Sequence, residues 1–312
     1  MSQYHTPVML AECLEYLNLR PGGTVVDGTL GGGGHALALS RAVGLLGTVI
    51  GLDRDPDALA EAQKTLEGAP SAIRLVRTNF ADIGAALVGL GVAAVDGVLL
   101  DLGVSSHQLD TAGRGFAFRL QGPLDMRMDT EAGESAAELI DRLTEADLVK
   151  ILFEYGEESR ARRIAAEIVK ARPLKTTEEL ADCIRRAMPF RTRPGQSHPA
   201  TKTFQALRIA VNGELEILET ALRASVGCLK PGGRLIVLSY HSLEDRIVKT
   251  VFNELSGKRE GSDFPDPVAP PPPSVRLLTK KPVVAGEEEL RRNPRARSAK
   301  LRAVEKIEED LR

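Results

Sequence analysis

The 312-residue sequence has few cysteines: Cys13, Cys183 and Cys228, which are widely separated. They form neither a CxxC pair nor a zinc-binding spacing, and the five histidines form no HExxH motif, so the sequence predicts no metal site and a reducing compartment. No apolar run approaches the roughly 20 residues that cross a bilayer. The first residues also lack the basic and apolar regions of a signal peptide. We therefore expect a cytoplasmic protein with no membrane partner.

Net charge is small, but the charges are unevenly distributed. The chain carries a formal charge of −2, and its 43% hydrophobic residues are enough to form a core. Between Ser159 and Arg208, twelve Lys and Arg stand against four acids, a surplus of eight positive charges. This surplus favours contact with RNA over a merely solvated helix face. The arginines expected to touch RNA are Arg185, Arg186, Arg191 and Arg193.

The first hundred residues alternate short β-branched runs with helical stretches. Strands are predicted at 24–27, 48–53, 73–76 and 95–101, with helices at 35–43 and 56–66. This alternation indicates βαβ units and a parallel sheet, which binds ligands beyond the carboxyl ends of its strands.

Helical signals replace this alternation from about residue 110 to 201. Thr144 and Thr177 are predicted N-caps there. The apolar periodicity then predicts one long helix over 203–229, followed by strands at 234–239, 275–278 and 299–306. We expect a discontinuous α/β domain, residues 1–109 and 202–312, with an inserted helical, substrate-facing domain at 110–201.

A glycine-rich turn, Gly31 to Gly34, follows the first predicted strand. Its glycines fit the GxGxx[G/A] pattern of a NAD-type Rossmann oxidoreductase, whose turn holds a pyrophosphate. They also fit an S-adenosylmethionine site, and Asp27 favours this alternative because a carboxylate repels pyrophosphate but suits a sulfonium. Asp53 could accept both ribose hydroxyls, and Phe80 could lie against an adenine.

Longer motifs are more specific: Leu100 to Asp110 (LDLGVSSHQLD), Gly115 to Phe118 (GFAF), Gly122 to Asp129 (GPLDMRMD), Ser239 to Arg246 (SYHSLEDR) and Asn293 to Ser298 (NPRARS). With His5 to Met9 (HTPVM) and the glycine-rich turn, they closely resemble the bacterial ribosomal small-subunit RNA cytosine-N4 methyltransferase family (the MraW/RsmH type). The resemblance runs in order over nearly the whole chain. It implies a Rossmann-like S-adenosylmethionine-dependent methyltransferase that acts on N4 of a cytidine in the P-site region of 16S rRNA, within the small ribosomal subunit.

The resemblance also implies which residues bind the cofactor, S-adenosyl-L-methionine: Gly33, Gly34, His35, Asp53, Phe80, Asp101 and Gln108. The sequence departs from the family at two positions. His107 stands where proline is expected, which could alter the loop beside Gln108. Tyr240 stands where phenylalanine is expected, a change that looks harmless.

Cytosine N4 is a poor nucleophile because its lone pair is delocalised into the ring, so a hydrogen-bond acceptor would help the reaction. Many amino-methyltransferases place an Asp/Asn-Pro-Pro-aromatic loop after the fourth strand. The matching segment here, Asp101 to Val104, lacks the prolines and the aromatic residue. Asp101 is therefore a candidate catalytic residue, and the alternative is that it contacts the cofactor.

Other candidates have structural alternatives. His35 could be a base or could simply line the cofactor site. His241 could line the pocket, although Ser242 with Asp245 reads as a helix N-cap pair. Phe116 and Phe118 could stack a flipped cytosine or pack the insert. A non-catalytic RNA-binding assembly factor is a further alternative, although the glycine-rich turn and Asp53 are undamaged.

Overall fold

The computed structural model describes residues 7–188, 198–258 and 272–308. The chain divides into two compact units: Met1–Gly103 with Glu216–Arg312, and Val104–Leu215. The second unit extends further at both ends than the insert expected at 110–201. The reason is that Leu109 and Phe204, on helices at its two ends, pack with its hydrophobic core.

The first unit opens with alternating helices and strands. In chain order these are α1 (Leu10–Leu17), β1 (Thr24–Asp27), α2 (Gly34–Val43), β2 (Thr48–Asp53), α3 (Pro56–Thr65), β3 (Ala72–Arg77), α4 (Ile83–Gly89) and β4 (Val95–Asp101). All four predicted strands are confirmed. Pro56 begins α3 as expected, and the side chain of Asp55 caps this helix by accepting the Asp57 N–H at 3.0 Å.

The second unit is helical in its described residues. It contains α5 (Ser106–Asp110), α6 (Ala136–Arg142), α7 (Glu145–Glu154), α8 (Ala161–Ala171), α9 (Thr177–Ala187) and α10 (Ala200–Asn212). Thr144 caps α7 as predicted. The prediction that Thr177 caps α9 is wrong, because Thr176 is the N-cap and accepts the Glu179 N–H. The Thr177 hydroxyl instead donates to the Leu120 carbonyl at 2.7 Å.

The single long helix predicted over 203–229 is also wrong. The chain forms α10 and then a separate helix, α11 (Leu218–Gly227). Gly213 ends α10 with φ of 58°, a left-handed conformation that favours glycine. The apolar periodicity continues across this break, so it could not reveal the end of the helix.

The remaining elements complete the first unit: β5 (Leu229–Ser239), α12 (Ser242–Leu255), β6 (Val275–Leu277), β7 (Val283–Val284), α13 (Glu287–Arg292) and β8 (Lys300–Lys306). β5 begins five residues earlier than predicted, because Leu229 pairs with Val95 ahead of an irregularity in the register. Both predicted closing strands, β6 and β8, are present. The cap of α12 is His241 with Glu244, so the predicted Ser242–Asp245 pair is wrong.

The strands form one sheet in the order β3-β2-β1-β4-β5-β8-β6, with β7 also paired to β8. The first five are parallel, whereas β8 runs antiparallel to β5 and β6. Consecutive residues such as Val25 and Val26 belong to hydrophobic clusters on opposite faces of the sheet. The strand order reverses between β1 and β4, so the crevice at their carboxyl ends is the expected ligand position in this Rossmann-like α/β fold.

Candidate cofactor site and candidate RNA-binding surface

Three carboxylates lie at the carboxyl edge of the parallel sheet. Asp27, Asp53 and Asp101 are the last residues of β1, β2 and β4, which are neighbouring strands in the first unit. Asp27 is in register with Gly51 and Leu99, so these strands end close together. Three acids that the sequence analysis named as separate candidates therefore lie at the edge where a parallel sheet binds ligands.

The glycine-rich turn is held against one of these acids. The Gly31 N–H donates to Asp53 Oδ2 at 2.8 Å. Gly33 has φ of 81°, and a Cβ at this position would lie 3.2 Å from Ala62. A side chain at Gly33 would therefore be strained and crowded. Gly34, the last glycine of the turn, is the first residue of α2.

Asp53 accepts hydrogen bonds from the backbone of two loops. Its second oxygen, Oδ1, accepts the Asp55 N–H at 2.9 Å. Burial raises the pKa of this carboxyl, while the N–H bonds from Asp55 and Gly31 oppose the rise. Each oxygen of a carboxylate has two acceptor positions, so Asp53 retains capacity for the two ribose hydroxyls.

Asp27 carries an unusual buried oxygen. The residue is 1% exposed, and its Oδ1 accepts the Thr29 N–H at 3.3 Å. Its Oδ2 has no hydrogen-bond partner among the described residues. Burial raises the pKa of this carboxyl to about 6, against the lowering effect of His35. A buried carboxylate oxygen without a partner is costly, so this position suits a cationic ligand group and not a pyrophosphate.

Asp101 contacts two other titratable side chains. The Tyr240 hydroxyl donates to its Oδ1 at 2.6 Å, and His35 Nδ1 lies 3.6 Å from its Oδ2. The opposite ring nitrogen, His35 Nε2, is 3.0 Å from the Val8 carbonyl and must carry a proton there, because a carbonyl only accepts. Burial raises the pKa of Asp101, and His35 and the Tyr240 hydroxyl bond oppose this rise.

Two further predicted cofactor residues take different positions. Phe80 begins a short 3-10 helix that two residues separate from β3, and it is half-buried against one hydrophobic cluster of the first unit. Gln108 lies on α5 of the second unit and is 4% exposed. Its side-chain oxygen accepts the Ser105 N–H at 3.0 Å in a capping box. A role for Gln108 toward the cofactor stays a prediction.

Sequence reasoning missed the contact of Tyr240 with Asp101 and treated Tyr240 as harmless. The signal was available, because Tyr240 directly follows β5 and the parallel sheet brings this strand end beside that of β4. It left a structural role open for His241 but placed the helix cap on Ser242 and Asp245 instead. The His241 Nδ1 accepts the Glu244 N–H at 3.3 Å, which uses the side chain as a helix cap.

In the second unit, the structure separates the two aromatic candidates. Phe116 is 6% exposed and belongs to the hydrophobic core. Its burial supports the packing role and does not support stacking of a cytosine on its ring. Phe118 is half-buried and lines an open groove of about 510 Å³. The other residues that line this groove are Arg119, Glu178, Ala181, Arg185, His198 and Thr201.

The predicted RNA-binding arginines are partly engaged within the second unit. Arg185 is paired with Asp182 of the same helix, yet its side chain is 63% exposed. Arg186 lies 3.6 Å from Glu167 and is 53% exposed. Arg191 and Arg193 lie outside the described residues. Arg119, which the charge analysis did not single out, is exposed beside Arg185 in the groove.

Comparison with known proteins identifies the family. Residues 2–307 match the model of the MraW methylase family. The chain belongs to this family. It is 56% identical over 308 residues to a protein of Pelobacter propionicus, covering 97% of this chain and 98% of the relative. It is 53% identical to a protein of Geobacter sulfurreducens, covering 98% and 100%. Both relatives are named ribosomal RNA small subunit methyltransferase H.

Solved structures are more distant in sequence. A SAM-dependent O-methyltransferase of Thermotoga maritima is 11% identical, with a TM-score of 0.44, covering 100% of this chain and 70% of that chain. Membership of a methylase family removes the oxidoreductase alternative. Within the described residues, no group of three or more His, Cys, Asp or Glu could hold a metal ion. None of the helices described is long and apolar enough to cross a membrane.

Proposed function

We propose that this methylase uses S-adenosylmethionine to methylate the exocyclic N4 of a cytidine in the P-site region of 16S rRNA. The observation that carries the cofactor assignment is Asp27 Oδ2, a buried oxygen without a hydrogen-bond partner among the described residues. An ammonium or sulfonium group would supply the missing positive charge. Asp53 would hold the ribose, and the glycine-rich turn would let the methionine part of the cofactor approach the backbone.

The substrate assignment rests on two kinds of support. The relatives are named as methyltransferases of small-subunit ribosomal RNA. The second unit carries exposed arginines beside aromatic rings, a combination that suits RNA. We place the reaction in the cytoplasm, on rRNA within the small ribosomal subunit.

Nucleoside mass spectrometry tests this function. The protein is incubated with S-adenosylmethionine carrying a deuterated methyl group, and either small ribosomal subunits or naked 16S rRNA. Labelled N4-methylcytidine, mapped by nuclease fragments to the P-site region, is the expected product. Label in 5-methylcytidine or in another base would overturn the N4 assignment. Cofactor binding with no labelled nucleoside on either substrate would favour a non-catalytic assembly factor.

A further inference from the structure

The reaction proposed above releases a proton, and Asp101 belongs to a series of contacting groups that could accept it. The series runs from the Val8 carbonyl through His35 and Asp101 to the Tyr240 hydroxyl, entirely within the first unit. The Asp101 side chain is 23% exposed, whereas the His35 side chain is 8% exposed. A substrate amine could therefore reach Asp101 but not His35.

We propose that Asp101 Oδ2 and His35 Nδ1 together accept the proton of the methylated amine, and that Tyr240 is a positioning residue that holds the other oxygen of Asp101. The proposal rests on the function proposed above. In the reaction, a bond forms between the amine nitrogen and the methyl carbon. The sulfur–methyl bond breaks and its electron pair passes to sulfur. The amine nitrogen loses one proton to Asp101 Oδ2 and keeps the N–H electron pair.

The geometry supports a shared proton acceptor. His35 Nε2 donates to Val8, so a neutral His35 has its lone pair on Nδ1, directed toward Asp101. The 3.6 Å separation of Nδ1 and Oδ2 is longer than a hydrogen bond but short enough for each atom to attract a proton held on the other. A proton that arrives at either atom gains the other as a partner, and this attraction lowers the cost of accepting it.

Tyr240 determines which oxygen of Asp101 is available. Burial first, and then the Asp101 carboxylate, raise the pKa of the Tyr240 hydroxyl, so it stays protonated and can only donate to this acid. The bond stabilises the ionised form of Asp101 and directs Oδ2 toward His35. A phenylalanine at this position would leave the carboxylate less stabilised and its orientation less defined.

Three other titratable groups lie near this pair. Glu244 contributes to raising the pKa of Asp101 and of Tyr240, and Asp27 contributes to raising the pKa of Cys13. Burial raises the pKa of the Cys13 thiol well above its ordinary value, so this thiol stays neutral. Asp27, with a pKa of about 6, titrates in the working range and must be controlled.

The first test is the pH profile of kcat for Tyr240→Phe, measured with small ribosomal subunits at saturating cofactor. Loss of a hydrogen bond to a charged group should move the acid limb upward by about one pH unit or more. The matched control is Tyr16→Phe, whose profile should not move. Tyr16 is a half-buried tyrosine of the same unit, and its carbonyl accepts from Arg234 of β5, five residues before the end of the strand that Tyr240 follows. The shift should persist when both enzymes also carry Asp27→Asn, which removes titration of Asp27.

The second test is His35→Gln. Glutamine can reach the Val8 carbonyl with its amide N–H but has no basic atom in place of Nδ1. We expect kcat at saturating cofactor to fall about a hundredfold. An unshifted profile for Tyr240→Phe together with a normal kcat for His35→Gln would overturn the inference. For His35→Gln, a loss confined to cofactor affinity, measured by calorimetry, would also overturn it, since His35 would then act only in cofactor binding. If the parent enzyme makes no N4-methylcytidine, the proposed function fails first.

Discussion

The ring of Phe118 stacks on the imidazole of His198, with centroids 4.3 Å apart and planes 13° from parallel. Phe204 meets Phe118 edge-on at 5.6 Å and anchors it to the core of the second unit. The His198 Nδ1 accepts the Ala200 N–H at 3.2 Å, so Nε2 carries the proton of the neutral ring. Burial, and then the charges of Arg185 and Arg119, lower the pKa of His198. The Phe118–His198 pair is therefore an uncharged aromatic surface at neutral pH, and Phe204 holds it against the core.

This surface predicts that Phe118→Leu weakens binding of small ribosomal subunits. Unpaired RNA bases stack on aromatic side chains, and removing one such stacking partner costs about 1–3 kcal/mol, or roughly fivefold to a hundredfold in affinity. Filter binding of labelled subunits would measure the change. Phe153→Leu is the control, because Phe153 is 64% exposed on α7 of the same unit and lies outside the groove. Equal affinity of both variants would exclude base stacking on Phe118.

The exposed arginines of the groove predict a change in salt dependence. Replacing Arg119 and Arg185 with glutamine should weaken subunit binding. It should also flatten the log–log salt slope by up to about 0.9 for each RNA phosphate that is no longer neutralised. Arg223→Gln with Arg276→Gln removes the same charge from exposed ion pairs of the first unit and serves as control. An unchanged slope in the groove variant, at a normal melting temperature, would contradict RNA contact there.

Asp53 predicts a specific loss of cofactor affinity. Asp53→Asn should raise the Kd for S-adenosylmethionine about ten- to a hundredfold, because the ribose hydroxyls donate more weakly to a neutral amide than to a carboxylate. Calorimetry measures this change. Asp96→Asn is the matched control, since Asp96 also accepts a backbone N–H, from Thr24 at 2.7 Å, but lies near the amino end of β4. A similar loss in both variants would indicate a general effect on the fold.

The fold was largely predictable because strand and helix alternation is a local property of the chain. The acids that end β1, β2 and β4 could be located in the same way, since each directly follows a run of apolar residues. The contact of Asp101 with Tyr240 joins residues 139 positions apart and depends on β5 lying beside β4. The end of α10 at Gly213 was missed for a different reason, because a left-handed glycine interrupts a helix without interrupting its apolar pattern.

Stability should depend on pH through Asp27. Its pKa in the folded protein is about 6, above the ordinary value of 3.8, so Asp27 binds a proton more tightly in the folded state than in the unfolded state. The stabilisation that this proton gives the folded state is fully present below about pH 4 and is lost as pH rises through 6. Between pH 5 and 8, Asp27 alone should reduce the free energy of unfolding by about 1.4 kcal/mol.

Asp27→Asn removes this titration, so relative to the parent the variant should become more stable as pH rises from 5 to 8. Urea unfolding at several pH values, without cofactor, measures the difference. The same variant should bind S-adenosylmethionine more weakly, because the amide lacks the charge that attracts a sulfonium or ammonium group. A protein that keeps a costly buried charge for binding should show both effects together. Parallel stability curves for parent and variant would mean that Asp27 does not titrate in this range. Unchanged cofactor affinity would mean that its unpaired oxygen does not face the cofactor.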